Sequence, residues 1–251
     1  MLHKVIGGVQ NYAWGKVGRE SGVCLFYDKC ETELPYAEYW LGTHKSMPST
    51  IRGALLSERT GELPYLFKIL SIAKPLSIQL HPSKPQAESL HSQNPQLYPD
   101  NNYKPEMCIA KSKMRLLIGF RPVSEMNSFL ASTPELLNIV GDNDLQTQLS
   151  NLYKDESQTR ASIQEYCSRI NSGLYCELNS HYPEDPGIFF AMFMNYIELN
   201  IGEAVVIHAG VPHCYLEGDC FEAMACSDNV VRAGLTPKPK DVRTLLEVTE
   251  K

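Results

Sequence analysis

The sequence contains no C-x-x-C pair, no extended basic run, no apolar stretch long enough to span a bilayer, and no internal repeat or low-complexity tract. Each absence removes a class of function. Without a basic run, and with a net charge of −6, there is no surface suited to neutralising nucleic-acid phosphates. A small anionic substrate held by a few local cations stays open. Met1 to Gln10 has neither the apolar core of a signal peptide nor an Arg-rich amphipathic pattern, which predicts a cytoplasmic protein with no membrane partner. The eight cysteines (Cys24, Cys30, Cys108, Cys167, Cys176, Cys214, Cys220, Cys226) lack neighbouring pairs, and several sit within apolar runs. In a cytosolic chain this predicts free thiols rather than disulfides.

What remains suits a globular protein. Over 251 residues, 43% are hydrophobic and 21% charged, enough for a real core in one large or two smaller domains. The most informative stretch is Leu76-Ser77-Ile78-Gln79-Leu80-His81-Pro82. Strand side chains alternate with period two, so Gln79 and His81 share one face and Ile78 and Leu80 the other. Pro82 has no N–H for a ladder and stops the strand, leaving two metal donors near the mouth of a sheet.

Residues 1 to 75 read as short strands and turns, with a strand at Val23 to Tyr27 and another in Pro35 to His44 that carries Glu38 and His44 among aromatics. Lys68 lies among apolar neighbours, so its ammonium must reach solvent or an anion. Ser83 to His91 predicts a short helix with Ser83 as N-cap. Glu106 opens the apolar strand Met107 to Ala110, where an inward carboxylate needs a metal or a counter-ion such as Lys104. From Ser124 to about Leu178 the apolar spacing changes to three and four, predicting a small helical unit between two β-rich parts. Strands return at Ile188 to Asn195, Tyr196 to Asn200 and Ala204 to Ile207. His208 and His213 compete as a further donor, and His213 is favoured because it starts a strand after a Gly/Pro turn. Glu222 falls inside Phe221 to Ala225. Arg232, flanked by Val and Ala, suits a carboxylate or a phosphate held bidentately.

Taken together, these stretches resemble type I phosphomannose isomerase, the mannose-6-phosphate isomerase family. The resemblance rests on Gln10-Asn11-Tyr12-Ala13-Trp14-Gly15, Pro35 to His44, Leu76 to Pro82, Tyr98-Pro99-Asp100 with Lys104-Pro105-Glu106-Met107, Gly119-Phe120-Arg121-Pro122, Tyr182-Pro183 with Asp185, and Pro212-His213 through Ser227 to Lys238, all in the family's order. It implies a mainly β fold, a cupin-like jelly-roll barrel over 1–123 and 181–251, with an α-helical side domain inserted at 124–180. It further implies one Zn²⁺ per chain held by Gln79, His81, Glu106 and His213, and isomerisation of a small sugar phosphate, mannose 6-phosphate to fructose 6-phosphate, through an enediol. Arg232, Glu222 and Lys104 would be the catalytic residues, Arg232 steadying the enediolate or orienting phosphate, Glu222 shuttling the proton and Lys104 leaning toward the sugar oxygens. Lys68, Ser77, Tyr215, Asp228, Trp14 and Glu38 would form the substrate shell, with Lys68 and Ser77 toward phosphate and Asp228 a second choice as proton shuttle. A monomer is expected.

The chain departs from the family pattern in three ways. Tyr103 stands where the family has His, the helical unit is short, and the family continues into a further β-rich domain whereas this sequence ends at Lys251. The alternative function is therefore a truncated, catalytically impaired metal-binding cupin with a ligand- or partner-binding role.

Overall fold

A computed structural model describes residues 2–249. The fold is mainly β with several helices, and His213–Ala225 is its spine. This 13-residue strand is antiparallel to four neighbours. Its first residues pair with Met114–Phe120, and His213 also pairs with Gln79 of the Ile78–Leu80 strand. From Gly218 onward it lies between Tyr65–Ile72 and Glu106–Ala110. Gly218 marks the crossing. Its φ is +120°, and a Cβ there would sit 2.7 Å from the Lys113 carbonyl oxygen, so only glycine lets the strand pass from one set of partners to the other.

Inward-facing residues from both sets of strands meet in one core of Leu70, Ile72, Cys108, Met114, Leu116, Ile207, Tyr215 and Cys220. A larger core joins the sheet to the helices through Ile78, Leu80, Leu117, Phe189, Phe190 and Val231. The helical segments run Val123–Ser132, Pro134–Val140, Leu145–Asn151, Glu156–Ile170 and Leu174–His181. Asp144 and Asp155 cap two of them by accepting backbone N–H bonds. Lys84–Gln93 is the helix expected after Pro82, with Ser83 and Gln86 forming a reciprocal cap.

Four local expectations are corrected. Val23 to Tyr27 is not a strand, because Ser21 accepts the Val23 N–H at 3.1 Å and starts a 3₁₀ turn over Gly22–Leu25. That turn brings Cys24 and Cys30 within 5.8 Å at Cα, and they form a disulfide, against the expectation of free thiols throughout. Ile188 to Met192 belongs to a helix, Gly187–Met192, and only Met194–Leu199 is strand. Every residue of that helix is buried, so no polar face reveals its period. The expected strand His213 to Leu216 does not end there but continues unbroken to Ala225, so it carries Glu222 as well. A closing helix, Val242–Val248, had no counterpart in the sequence reading. No helix among the described residues is long and apolar enough to cross a membrane.

Candidate metal centre and active site

The long strand and its neighbours place charged side chains inward in register. Trp40, Lys68, Glu222 and Cys108 stand directly opposite one another across four adjacent strands, so their side chains leave the same face. Glu38 and Glu106 lie two positions along and share that face. Within this otherwise apolar face Glu38, Lys68, Glu106 and Glu222 form a polar floor, and over it opens a cavity of about 380 Å³. The Lys68 ammonium is 3.3 Å from Glu222 and 4.9 Å from the centroid of the Trp40 ring, whose indole N–H donates to Glu38. Burial alone would lower the Lys68 pKa, but Glu38, Glu222 and Glu106 outweigh it and hold the group charged. Burial, helped by the charge of Glu106, pushes the Glu222 carboxyl up despite Lys68.

At one end of the floor His81, Glu106 and His213 converge, with ligand atoms within 4.8 Å of one another. His81 Nε2 is 3.2 Å from one Glu106 oxygen and His213 Nε2 is 3.4 Å from the other. All three are buried. Each ring donates its Nδ1–H to a backbone carbonyl, His81 to Asn229 at 2.8 Å and His213 to Val211 at 3.0 Å. These bonds fix the tautomer that leaves an Nε2 lone pair facing the carboxylate. Among the described residues, His81 Nε2, His213 Nε2 and Glu106 Oε2 have no hydrogen-bond partner. Buried acceptors left unpaired are costly, and a cation held between them removes that cost. Gln79 lies opposite both His213 and Arg232 in the ladders, on the same face, and Ser77 donates to its amide oxygen at 3.3 Å.

The electrostatics suit a divalent ion. Burial drives the His81 pKa from 6.5 to about 4, so its ring is neutral near neutrality. Burial alone would raise Glu106, but the Lys104 ammonium, 3.0 Å away, holds it well below the usual carboxylate range. The donor set of two imidazoles, a carboxylate and an amide oxygen fits zinc better than softer ions that require sulfur. The same shift predicts a pH effect on the metal-free protein. The unfolded chain takes up a proton on His81 near pH 6.5 and the folded one only near about 4, so stability falls as pH drops through that window. Depression of Glu106 adds in the same direction at lower pH. Melting curves of chelator-treated protein are expected to show a lower Tm at pH 5 than at pH 7, and a flat profile would contradict the burial of His81 as a neutral ring.

Every residue expected at the site lines the cavity except His81, which lies behind it against Glu106: Gln79, Glu106 and His213 with Arg232, Glu222 and Lys104, and Lys68, Ser77, Tyr215, Asp228, Trp14 and Glu38 around them. Arg232 has no carboxylate partner among the described residues, and its half-burial draws its pKa down from the ordinary guanidinium value without discharging it. Asp228 pairs with His44 Nε2 at 3.4 Å, and that bond holds its carboxyl below the ordinary range. Tyr103 is exposed and does not line this cavity.

Sequence reasoning passed over Trp40, Tyr12, Tyr182, Thr236 and Lys238 as individual site residues. Trp40 had a usable signal, being two positions from Glu38 on a strand. Tyr182 stood in a stretch that carries the family resemblance but had no local signal of a site role, because a helix end brings it to the cavity, where its hydroxyl donates to the Pro75 carbonyl at 2.6 Å.

Comparison with known proteins follows this geometry. The family described as phosphomannose isomerase type I, catalytic domain, matches residues 2–60 and 51–123. The mannose-6-phosphate isomerase of Homo sapiens is 39% identical, the alignment covering 96% of this chain and 71% of that protein. The apo form of mannose 6-phosphate isomerase from Salmonella typhimurium superposes with a TM-score of 0.83 at 31% identity, over 99% of this chain and 74% of that one. A mannose 6-phosphate isomerase bound with zinc and yttrium superposes at 0.85 with 31% identity and the same coverage. On sequence and on structure alike, the chain belongs to the type I phosphomannose isomerase family.

Proposed function

We propose that this protein is a zinc-dependent isomerase that interconverts mannose 6-phosphate and fructose 6-phosphate through an enediol, within a cupin-like jelly roll. One observation carries the reading: three unpaired, buried donor atoms from His81, Glu106 and His213 converge at the end of a cavity whose other walls carry Arg232, Lys104, Lys68 and Glu222. We assign 124–180 as a helical insertion and the flanking segments as one catalytic domain. Bound at Gln79, His81, Glu106 and His213, one zinc per chain would polarise the adjacent sugar oxygens.

The chain's own residues then divide the remaining work. Moving a proton between C1 and C2 needs a base close to neutrality in strength. Glu222, raised by burial, suits that role better than Asp228, which His44 weakens as a base. Lys68, held charged against Glu222, steadies the carboxylate as it gives and takes the proton. Arg232, beside Gln79 in the ladder, puts a fixed positive charge where the enediolate develops. Lys104 orients the sugar oxygens. Lys238, exposed at the rim, takes the phosphate with Ser77; Lys68, first expected there, is already committed to Glu222.

The variant structures of the Salmonella enzyme support this choice of residues. They alter a lysine and a histidine thirteen residues apart, a lysine and a glutamate two apart, and a glutamate and an arginine ten apart. Lys68 and His81, Lys104 and Glu106, and Glu222 and Arg232 have the same spacings. The test is a coupled assay for fructose 6-phosphate formed from mannose 6-phosphate by zinc-loaded protein. Turnover that disappears on chelation and returns with zinc is expected; a zinc-loaded, folded protein that makes no product would refute the reading.

A further inference from the structure

The cavity rim from Leu235 to Lys238 is held in an unfavourable backbone conformation by a residue that does not touch the cavity. Leu235 has a φ of +53°, in the left-handed region that a leucine rarely occupies, yet it is fully buried. Its N–H donates to Asp185 Oδ1 at 2.8 Å, and the Gly187 N–H donates to the same oxygen at 2.7 Å. The other carboxylate oxygen lies 3.6 Å from Lys240. One acceptor thus ties the helix Gly187–Met192 to the turn that follows the strand Val231–Gly234.

Two glycines make the contact possible. A Cβ on Gly187 would stand 2.6 Å from the Leu235 nitrogen, and one on Gly234 would stand 2.7 Å from Asp185 Oδ1. The backbones therefore meet with the carboxylate between them. Beyond it, Thr236 Oγ1 accepts the Lys238 N–H at 3.1 Å, so the position of Leu235 is passed along to the lysine. Arg232 depends less on this tie, because its own strand is laddered to Ile78–Leu80.

We infer that Asp185 is a positioning residue that holds the Leu235–Lys238 turn in the shape that receives the substrate's phosphate. This rests on the function proposed above. Removing the acceptor lets Leu235 leave the left-handed region, and Lys238 moves away from the cavity while the metal ligands, Glu222 and Arg232 keep their places. The consequence is weaker binding with chemistry largely intact.

The experiment compares zinc-loaded wild type, Asp185→Ala and Asp185→Asn by steady-state kinetics on mannose 6-phosphate, by calorimetry with inorganic phosphate, and by zinc content. Asp185→Ala is expected to raise KM and the phosphate Kd by about tenfold or more, a misplacement effect, with kcat within about threefold and zinc unchanged. Asp185→Asn keeps an oxygen that accepts both N–H groups and is expected to stay within about threefold of wild type. Should the alanine variant fail to fold, Asp185→Ser, whose hydroxyl falls short of both donors, carries the same expectation. An alanine or serine variant with a lowered Tm but unchanged KM and phosphate Kd would overturn the assignment, as would an asparagine variant as impaired as alanine. If wild type binds phosphate but does not isomerise the sugar, the functional proposal fails while the phosphate comparison still judges Asp185.

Discussion

Glu106→Gln is expected to lose bound zinc and to reduce kcat/KM by at least about a thousandfold, the several kcal/mol that a metal contributes to such a transition state. The substitution keeps the size and shape of the side chain and removes only its charge. That charge is the sole negative one within the His81, Glu106, His213 cluster. It also faces Lys104 at 3.0 Å, so in the variant the ammonium competes with the ion for the same space without a counter-charge. Some loss of stability follows from leaving Lys104 unpaired, which a melting curve measures separately. Zinc content by elemental analysis and turnover by the coupled assay are expected to fall together. A variant that kept both its zinc and its activity would place the ion elsewhere.

Arg232→Ala is expected to lower kcat by about a hundredfold to a thousandfold, in line with loss of one preorganised charge aimed at a developing anion. Zinc content should not change, because Arg232 neighbours Gln79 in the ladder without being a donor to the site. Arg232→Lys should recover only part of the rate, since a point charge does not reproduce the planar fork. The pair of substitutions separates holding the metal from stabilising the reacting anion beside it. Loss of zinc marks the His81, Glu106, His213 cluster, whereas loss of rate with zinc retained marks Arg232. An Arg232→Ala enzyme with wild-type kcat would remove that residue from the chemistry.

How far the site was legible in the sequence follows from the range of the forces involved. Gln79 and His81 could be placed on one face because strand alternation is a local rule, and Pro82 ended the strand where expected. The partners of each charge could not be found that way. Lys68 and Glu222 lie 154 positions apart and meet only because two strands pair in a particular register, so the ion pair that commits Lys68 was invisible. His44 was noticed among aromatics, but its bond to Asp228 again spans the chain. The misread elements have different causes. Gly187–Met192 is apolar on every side because it is buried on every side, and such a run carries no period to distinguish helix from strand. The disulfide between Cys24 and Cys30 depended on a 3₁₀ turn set by the Ser21 side chain, a contact too small to outweigh the compositional argument for free thiols.

A structural role for every one of these charges would still leave two buried imidazole lone pairs and a carboxylate oxygen facing one another unpaired. X-ray absorption at the zinc edge of the purified, zinc-loaded protein tests directly whether an ion fills that space. One zinc per chain, with a first shell of nitrogen and oxygen donors that includes two imidazoles, is the expected result. No bound zinc, or a shell containing sulfur from the buried Cys108 or Cys220, would contradict it.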